Sequence, residues 1–347
     1  MVIDRRALIG AMGMGAVGMM LPPMAGAAPL PVPRKPRRLR PADTVGLIEP
    51  AGFSDDLYDL EPIKAAIVEM GLKPRLAPHV AQRFGYLAGT DADRAADVNA
   101  MFADRDVSAI FAVRGGWGSA RILPLLDWPA IRANPKLLVG FSDITALHMA
   151  IAAKAGFVTI HGPVAASSWG RASWDAFRAL AFDGATPTYS NPVGSEDRLV
   201  QRIGSIRTFT GGKARGRLLG GNLTVLAALM GTPYLPGFDG AILFIEDIDE
   251  APYRIDRMLT QLGLAGVLKG LAGVVFGQCT DCTASAPSYG GFTITQVLEQ
   301  HFKPLGIPAW MGAQFGHVAN QWSLPEGGLA EIDADAGTIR LLEPAVS

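Results

Sequence analysis

The sequence predicts an α/β protein of two units, the first built on a largely parallel sheet and the second with its own core. Three observations point there. Short apolar runs alternate with amphipathic segments along most of the chain, as strand–helix–strand units do. The 41 glycines and 25 prolines fall between those runs without a repeating period, as turn punctuation does. The 347 residues, 49% hydrophobic and 18% charged, supply more core than one small domain needs and are too apolar for a disordered chain.

The chain opens differently. Arg5-Arg6 precedes the uncharged run 10–21, and Ala25-Gly26-Ala27 follows. A charged start, an apolar middle and small residues at an A-x-A site are the parts of a signal peptide over 1–27, and the paired arginines give it a twin-arginine character, predicting export of a bacterial protein to the periplasm. An uncleaved anchor is the alternative. The run falls short of the roughly 20 apolar residues that span a bilayer, and five glycines between positions 10 and 26 weaken it further. The stretch 29–41, with five prolines and five basic residues, reads as a tether.

From residue 44 the pattern predicts a strand at 45–48, helices over 60–70 and 92–102, a strand at 107–113, a buried strand at 137–141, a helix over 144–155 and a strand at 158–160. Periodicity fades between about 183 and 213. The expected division is an N-terminal domain over 28–185, a linker over 186–213 and a C-terminal domain over 214–347. In the latter, strands at 215–219, 241–245 and 271–276 alternate with helices over 223–230 and 253–262, and a hairpin closes the chain over 330–342. Lys and Arg number 31 against 32 Asp and Glu, so no basic field exists to hold a nucleic-acid backbone. No later apolar run is long enough to span a membrane, and the mature protein is expected not to do so.

In open α/β sheets the residues just after strands carry the chemistry. Ser142 lies between the strand at 137–141 and the following helix, preceded by Gly140, with the logic of a nucleophile elbow although Ile144 stands where a second glycine would be. The same spacing suits Ser142 or Asp143 as a helix cap. A serine nucleophile needs an imidazole and a carboxylate to orient it. Of five histidines, His148 lies within a helix, His79 and His301 look structural, His161 ends a strand, and His317 in Phe315-Gly316-His317 has the best context for a base. Glu246 opens the acidic cluster Glu246-Asp247-Ile248-Asp249-Glu250, which also suits a solvated loop or, less well, a hard cation. Arg114-Gly115-Gly116-Trp117-Gly118 follows a strand, and its glycines suit an anion nest; G-x-G-x-x-G is absent and a dinucleotide cofactor is disfavoured. Cys279 and Cys282 form one C-x-x-C, open between a disulfide and two thiols.

Together these segments resemble the LD-carboxypeptidase family of serine peptidases, which includes muramoyltetrapeptide carboxypeptidases and microcin self-immunity hydrolases. The matching stretches are Arg114-Gly115-Gly116-Trp117-Gly118-Ser119-Ala120-Arg121, Gly140-Phe141-Ser142-Asp143-Ile144-Thr145, His161-Gly162-Pro163, Gly220-Gly221-Asn222-Leu223, Phe244-Ile245-Glu246-Asp247, Tyr253-Arg254-Ile255-Asp256-Arg257 and Gly316-His317, in family order. The resemblance implies a flavodoxin-like or glutamine-amidotransferase-like N-terminal domain and a smaller, swivelling α/β C-terminal domain, paired as a homodimer. It implies Ser142 as nucleophile, His317 as general base, Glu246 as its orienting partner, and the backbone N–H groups of Gly116 and Asp143 as oxyanion hole. Arg114, Trp117 and Asn222 are the candidate substrate contacts. No cofactor and no metal are implied. The implied substrate is a peptidoglycan tetrapeptide or muropeptide; a peptidyl-nucleotide amidohydrolase and an inactive peptidoglycan-binding protein are the alternatives. Trp117 stands where tyrosine is commoner, and an export signal departs from the cytoplasmic recycling role of the best-known members.

Overall fold

The computed structural model describes residues 32–54, 60–192, 205–282 and 291–347. The expected signal peptide and part of the tether lie outside the described residues. The first half runs β1 (Thr44–Ile48), α1 (Leu60–Glu69), β2 (Lys73–Leu76), α2 (Asp91–Ala103), β3 (Val107–Ala112), α3 (Ser119–Ile122), α4 (Trp128–Ala133), β4 (Leu137–Gly140), α5 (Thr145–Lys154), β5 (Thr159–His161) and α6 (Arg171–Ala181). The second runs β6 (Thr188–Ser190), β7 (Arg207–Thr210), β8 (Lys213–Asn222), α7 (Leu223–Ala228), β9 (Ile242–Ile248), α8 (Pro252–Leu264), β10 (Gly273–Thr280), α9 (Ile294–Phe302), β11 (Ala309–Met311), β12 (Leu324–Glu326), β13 (Leu329–Asp333) and β14 (Thr338–Leu341).

Local chemistry explains the boundaries. Thr90 caps α2 in a reciprocal box with Asp93, and Pro252 occupies the first turn of α8, where its missing N–H costs nothing. All six residues of β3 are buried, as expected of a strand covered on both faces. The first seven residues of α5 are buried all round, because this helix is sandwiched rather than laid on a surface.

The first sheet has the order β12-β5-β4-β3-β1-β2, with β1 to β5 parallel and β12 antiparallel on β5. Order 2-1-3-4-5 is that of flavodoxin-like sheets, whose crevice opens where the winding reverses between β1 and β3. The second sheet has the order β6-β14-β13-β8-β9-β10-β11-β7, with β8 to β11 parallel. Leu147 and Ile151 of α5 share one apolar cluster with Leu219, Leu223 and Leu226, so the seam between the halves is a continuous core.

Two expectations change. The stretch 186–213 is not an open linker where it is described: β6 and β7 within it form opposite edges of the second sheet. Edge strands this short and polar carry no alternation to read. The C-terminal region also returns to the first half, because β12 pairs Leu324 with His161. The hairpin of β13 and β14 lies where the sequence placed it. Cys279 and Cys282 are joined as a disulfide, with Cα atoms 5.4 Å apart. No helix among the described residues is long and apolar enough to cross a membrane.

Candidate active site

The loops after β1, β3 and β4 lie side by side, and the last of them reaches the second half of the chain. After β4 the chain turns sharply, and Ser142 takes φ of 62°, a left-handed conformation that costs energy outside glycine. A side chain at Gly140 would press on Ile144 at 3.0 Å, so the turn needs glycine before the serine while Ile144 fills the space beside it. A 3-10 turn, Ser142–Ile144, leads into α5 and leaves the hydroxyl at the sheet edge.

From the other half come Glu246 and His317. Glu246 lies within β9, paired with Asn222 of β8, and is fully buried; the strand extends beyond the apolar run to Ile248 because its ladder to β10 continues. Gly316 has φ of 102°, and a Cβ there would lie 2.7 Å from Glu246 Oε2, so only glycine lets this loop close on the carboxylate. His317 Nδ1 sits 2.8 Å from Glu246 Oε2, and Nε2 sits 3.1 Å from Ser142 Oγ. With the carboxylate accepting at Nδ1–H, the Nε2 lone pair is left to accept the serine proton. The Phe141 ring covers the imidazole at 4.8 Å between centroids.

The glycine loop after β3 passes beside this pair. A Cβ on Gly115 would meet Ser142 Cβ at 3.0 Å, and Gly116 and Gly118 have φ of 112° and 120°. Gly52 N–H donates to Gly115 O at 3.2 Å. The Asp143 carboxylate accepts Ser119 N–H at 2.7 Å and Ser119 Oγ–H at 2.6 Å, tying the loop to the serine turn. Burial pushes the Asp143 carboxyl pKa up, with the Ser119 bonds opposing. Arg94, 1% exposed, donates to Gly118 O at 2.9 Å and to Pro50 O, and pairs with Asp91. The site therefore combines a hydroxyl, an imidazole held by a buried carboxylate, and a backbone loop at a helix start. This chemistry suits acyl transfer.

A model of the LD-carboxypeptidase N-terminal domain matches residues 45–162, and one of the C-terminal domain matches residues 215–332. The chain belongs to the LD-carboxypeptidase family. The murein tetrapeptide carboxypeptidase of Pseudomonas aeruginosa is 32% identical over 304 residues, covering 84% of this chain and 93% of that protein. A Streptomyces coelicolor protein provisionally named a carboxypeptidase is 40% identical over 324 residues, 90% of this chain and 97% of its own. Among solved structures, muramoyltetrapeptide carboxypeptidase from Oxalobacter formigenes superposes with a TM-score of 0.73 at 30% identity, covering 86% of this chain and 97% of that one. The microcin C7 self-immunity protein MccF, with glutamyl sulfamoyl guanosine bound, gives 0.79 at 25% identity, over 91% and 100%.

The remaining expected residues of this LD-carboxypeptidase family member divide. Trp117 is 51% exposed on the glycine loop. Arg114 Nη1 donates to Phe53 O at 2.7 Å and so braces the loop after β1. Asn222, expected at the substrate, is 4% exposed: its Oδ1 accepts Val225 N–H at 3.1 Å as the α7 cap, and its Nδ2 donates to Asp247 Oδ1 at 3.0 Å. These two bonds fix the orientation of its amide, each end of which keeps one further hydrogen-bonding position. Burial, then the Glu246 charge, pushes Asp247 up to about 6. His79 pairs with Asp97 and His301 with Asp256, while His148 bonds Thr159 and Gly140 O. His161 is buried among Phe141, Phe244 and Phe315. A pocket of about 260 Å³ adjoins His317, with Phe141, Trp169, Asn320 and Gln321 in its wall. Sequence reading gave no role to Arg94 or Ser119, whose bonds to Pro50, Gly118 and Asp143 join segments distant in the chain.

Proposed function

We propose that this protein is a serine LD-carboxypeptidase that hydrolyses the amide between an L-configured centre, that of diaminopimelate or lysine, and the terminal D-alanine of a peptidoglycan tetrapeptide. One observation carries the reading: Ser142 Oγ, His317 and Glu246 stand in line at 3.1 and 2.8 Å. Ser142 attacks the carbonyl carbon as His317 Nε2 takes its proton, and the buried Glu246 stabilises the imidazolium. The N–H groups of Gly116 and Asp143 receive the developing oxyanion. His317 returns the proton to the leaving D-alanine nitrogen, and water, deprotonated by the same imidazole, clears the acyl-enzyme. The enzyme works in the periplasm as a homodimer.

Incubating the purified mature protein with disaccharide tetrapeptide tests this. The expected result is loss of one alanine by mass, abolished in Ser142→Ala; an unchanged muropeptide would sink the reading. The half-exposed Trp117 favours a second reading, a peptidyl-nucleotide amidohydrolase, since an indole is a platform for a base. Cleavage of an aspartyl sulfamoyl adenosine with the muropeptide left intact would establish it. Failure on both substrates leaves the inactive peptidoglycan-binding protein.

A further inference from the structure

The loop that carries His317 hangs from the end of β10. Gln278 N–H donates to Phe315 O at 3.2 Å, and its Nε2 to Gly312 O at 2.8 Å. Thr280 Oγ1 donates to the carbonyl of His317 itself at 2.8 Å. The Thr280 carbonyl in turn accepts Asp249 N–H at 2.9 Å, one residue past the strand that bears Glu246. One threonine thus ties the backbone of the histidine to the strand of its carboxylate partner.

What holds Thr280 is unusual for a strand end. The β9–β10 ladder shifts register between Phe276 and Cys279, and Asp281 turns the chain with φ of 56°. Thr280 and Asp281 are the two residues enclosed by the Cys279–Cys282 disulfide. Both cysteines are partly exposed, Asp281 is exposed, and the chain has no third cysteine to exchange with.

We infer that Thr280 is a positioning residue for His317 and that the Cys279–Cys282 disulfide keeps it in place, so that turnover depends on the disulfide being closed. The inference rests on the Ser142–His317 reading above. A dithiol reductant opens the switch: one of its thiolates attacks a cysteine sulfur and breaks the S–S bond, and its second thiolate resolves the mixed disulfide. Two electrons pass to the protein, which gains two thiols, and the reductant leaves as its cyclic disulfide. The released turn no longer fixes the Thr280 hydroxyl on the His317 carbonyl, and the imidazole loses its alignment between Glu246 and Ser142.

The test compares Thr280→Val, Thr280→Ser and the double variant Cys279→Ser, Cys282→Ser with the wild type, before and after dithiothreitol, with free thiols counted. Thr280→Val is expected to lower kcat about tenfold while KM stays within about twofold, and Thr280→Ser to restore it. Reduction should lower wild-type kcat similarly and reversibly, add little in Thr280→Val and nothing in the double variant. Full kcat in Thr280→Val, or in a wild type with both thiols free, would overturn the inference. A second readout needs no substrate: in protein labelled with ¹⁵N-histidine, reduction should shift the His317 ring signals, identified by their absence in His317→Gln, and leave the other histidines in place. If no form releases alanine, the substrate has been misread; His317 signals unmoved by reduction would reject the hold of the disulfide on His317 whatever the substrate.

Discussion

Ser142 pays for its position with a φ of 62°, and that strain makes a prediction that separates fold from function. Ser142→Ala keeps the strain and removes the oxygen, so activity should fall by about three orders of magnitude or more with little change in stability. Ser142→Gly should be equally inactive but more stable than Ser142→Ala by about 1 kcal/mol, because glycine adopts positive φ without penalty. Thermal melts of the two variants check this, and a more stable alanine variant would contradict the strained elbow. His148 supplies a pH test. Burial lowers its pKa to about 4, whereas in the unfolded chain histidine titrates at about 6.5. Between those values the unfolded chain binds the extra proton, so the neutral His148 costs stability as pH falls. Asp247, raised to about 6, acts in the opposite sense, so the wild-type curve alone does not report His148. The stability gap between wild type and His148→Asn should narrow by roughly 2 to 3 kcal/mol from pH 7 to pH 4.5 in denaturant titrations. A gap independent of pH would mean that His148 does not stay neutral.

At the scale of elements, the site depends on loops fastened to helices. The Arg94 guanidinium, on α2, binds the carbonyls of Pro50 after β1 and Gly118 after β3, with Asp91 as its counter-charge. Arg94→Met fills similar space but takes the guanidinium from the Pro50 and Gly118 carbonyls, while Asp91 keeps Arg121 as its partner. It should cost about 1 to 3 kcal/mol of stability, and it should lower kcat because the Gly116 loop loses its anchor. Equilibrium unfolding and turnover measured on the same preparation would show both losses; unchanged stability would mean the clamp is dispensable. The strands and helices around this clamp were legible from periodicity, because buried parallel strands such as β3 are continuous apolar runs. The clamp was not, since a single arginine near the start of an amphipathic helix looks solvated until the loops fold over it.

For the whole molecule, the question is where it works. Arg5-Arg6, the glycine-containing run and Ala25-Gly26-Ala27 precede every described element. Cleavage near Ala27 and delivery of folded protein to the periplasm are the expected outcome in a bacterial host. Replacing both arginines by lysine should retain the protein in the cytoplasm. Fractionation and N-terminal sequencing check this, and uncut wild-type chain in the cytoplasm would return the enzyme to a recycling role. An oxidising compartment would also keep the Cys279–Cys282 bond closed, which couples location to the proposed dependence on that bond.

By itself the sequence determined the α/β class and most strands and helices, because periodicity is a local property of the chain, and it offered Ser142, Glu246 and His317 as candidates that the family resemblance singled out. Only the tertiary structure decided how the halves join. β6 and β7 became sheet edges within the expected linker, β12 crossed back to β5, and Asn222 turned inward to Asp247 and the α7 cap. It likewise decided that Arg94 bonds the Gly118 carbonyl, that Thr280 bonds the His317 carbonyl and that the cysteines pair. The physical reason is the same in each case: a polar group's partner is chosen by which distant segments packing brings within about 3 Å, and no local pattern encodes that.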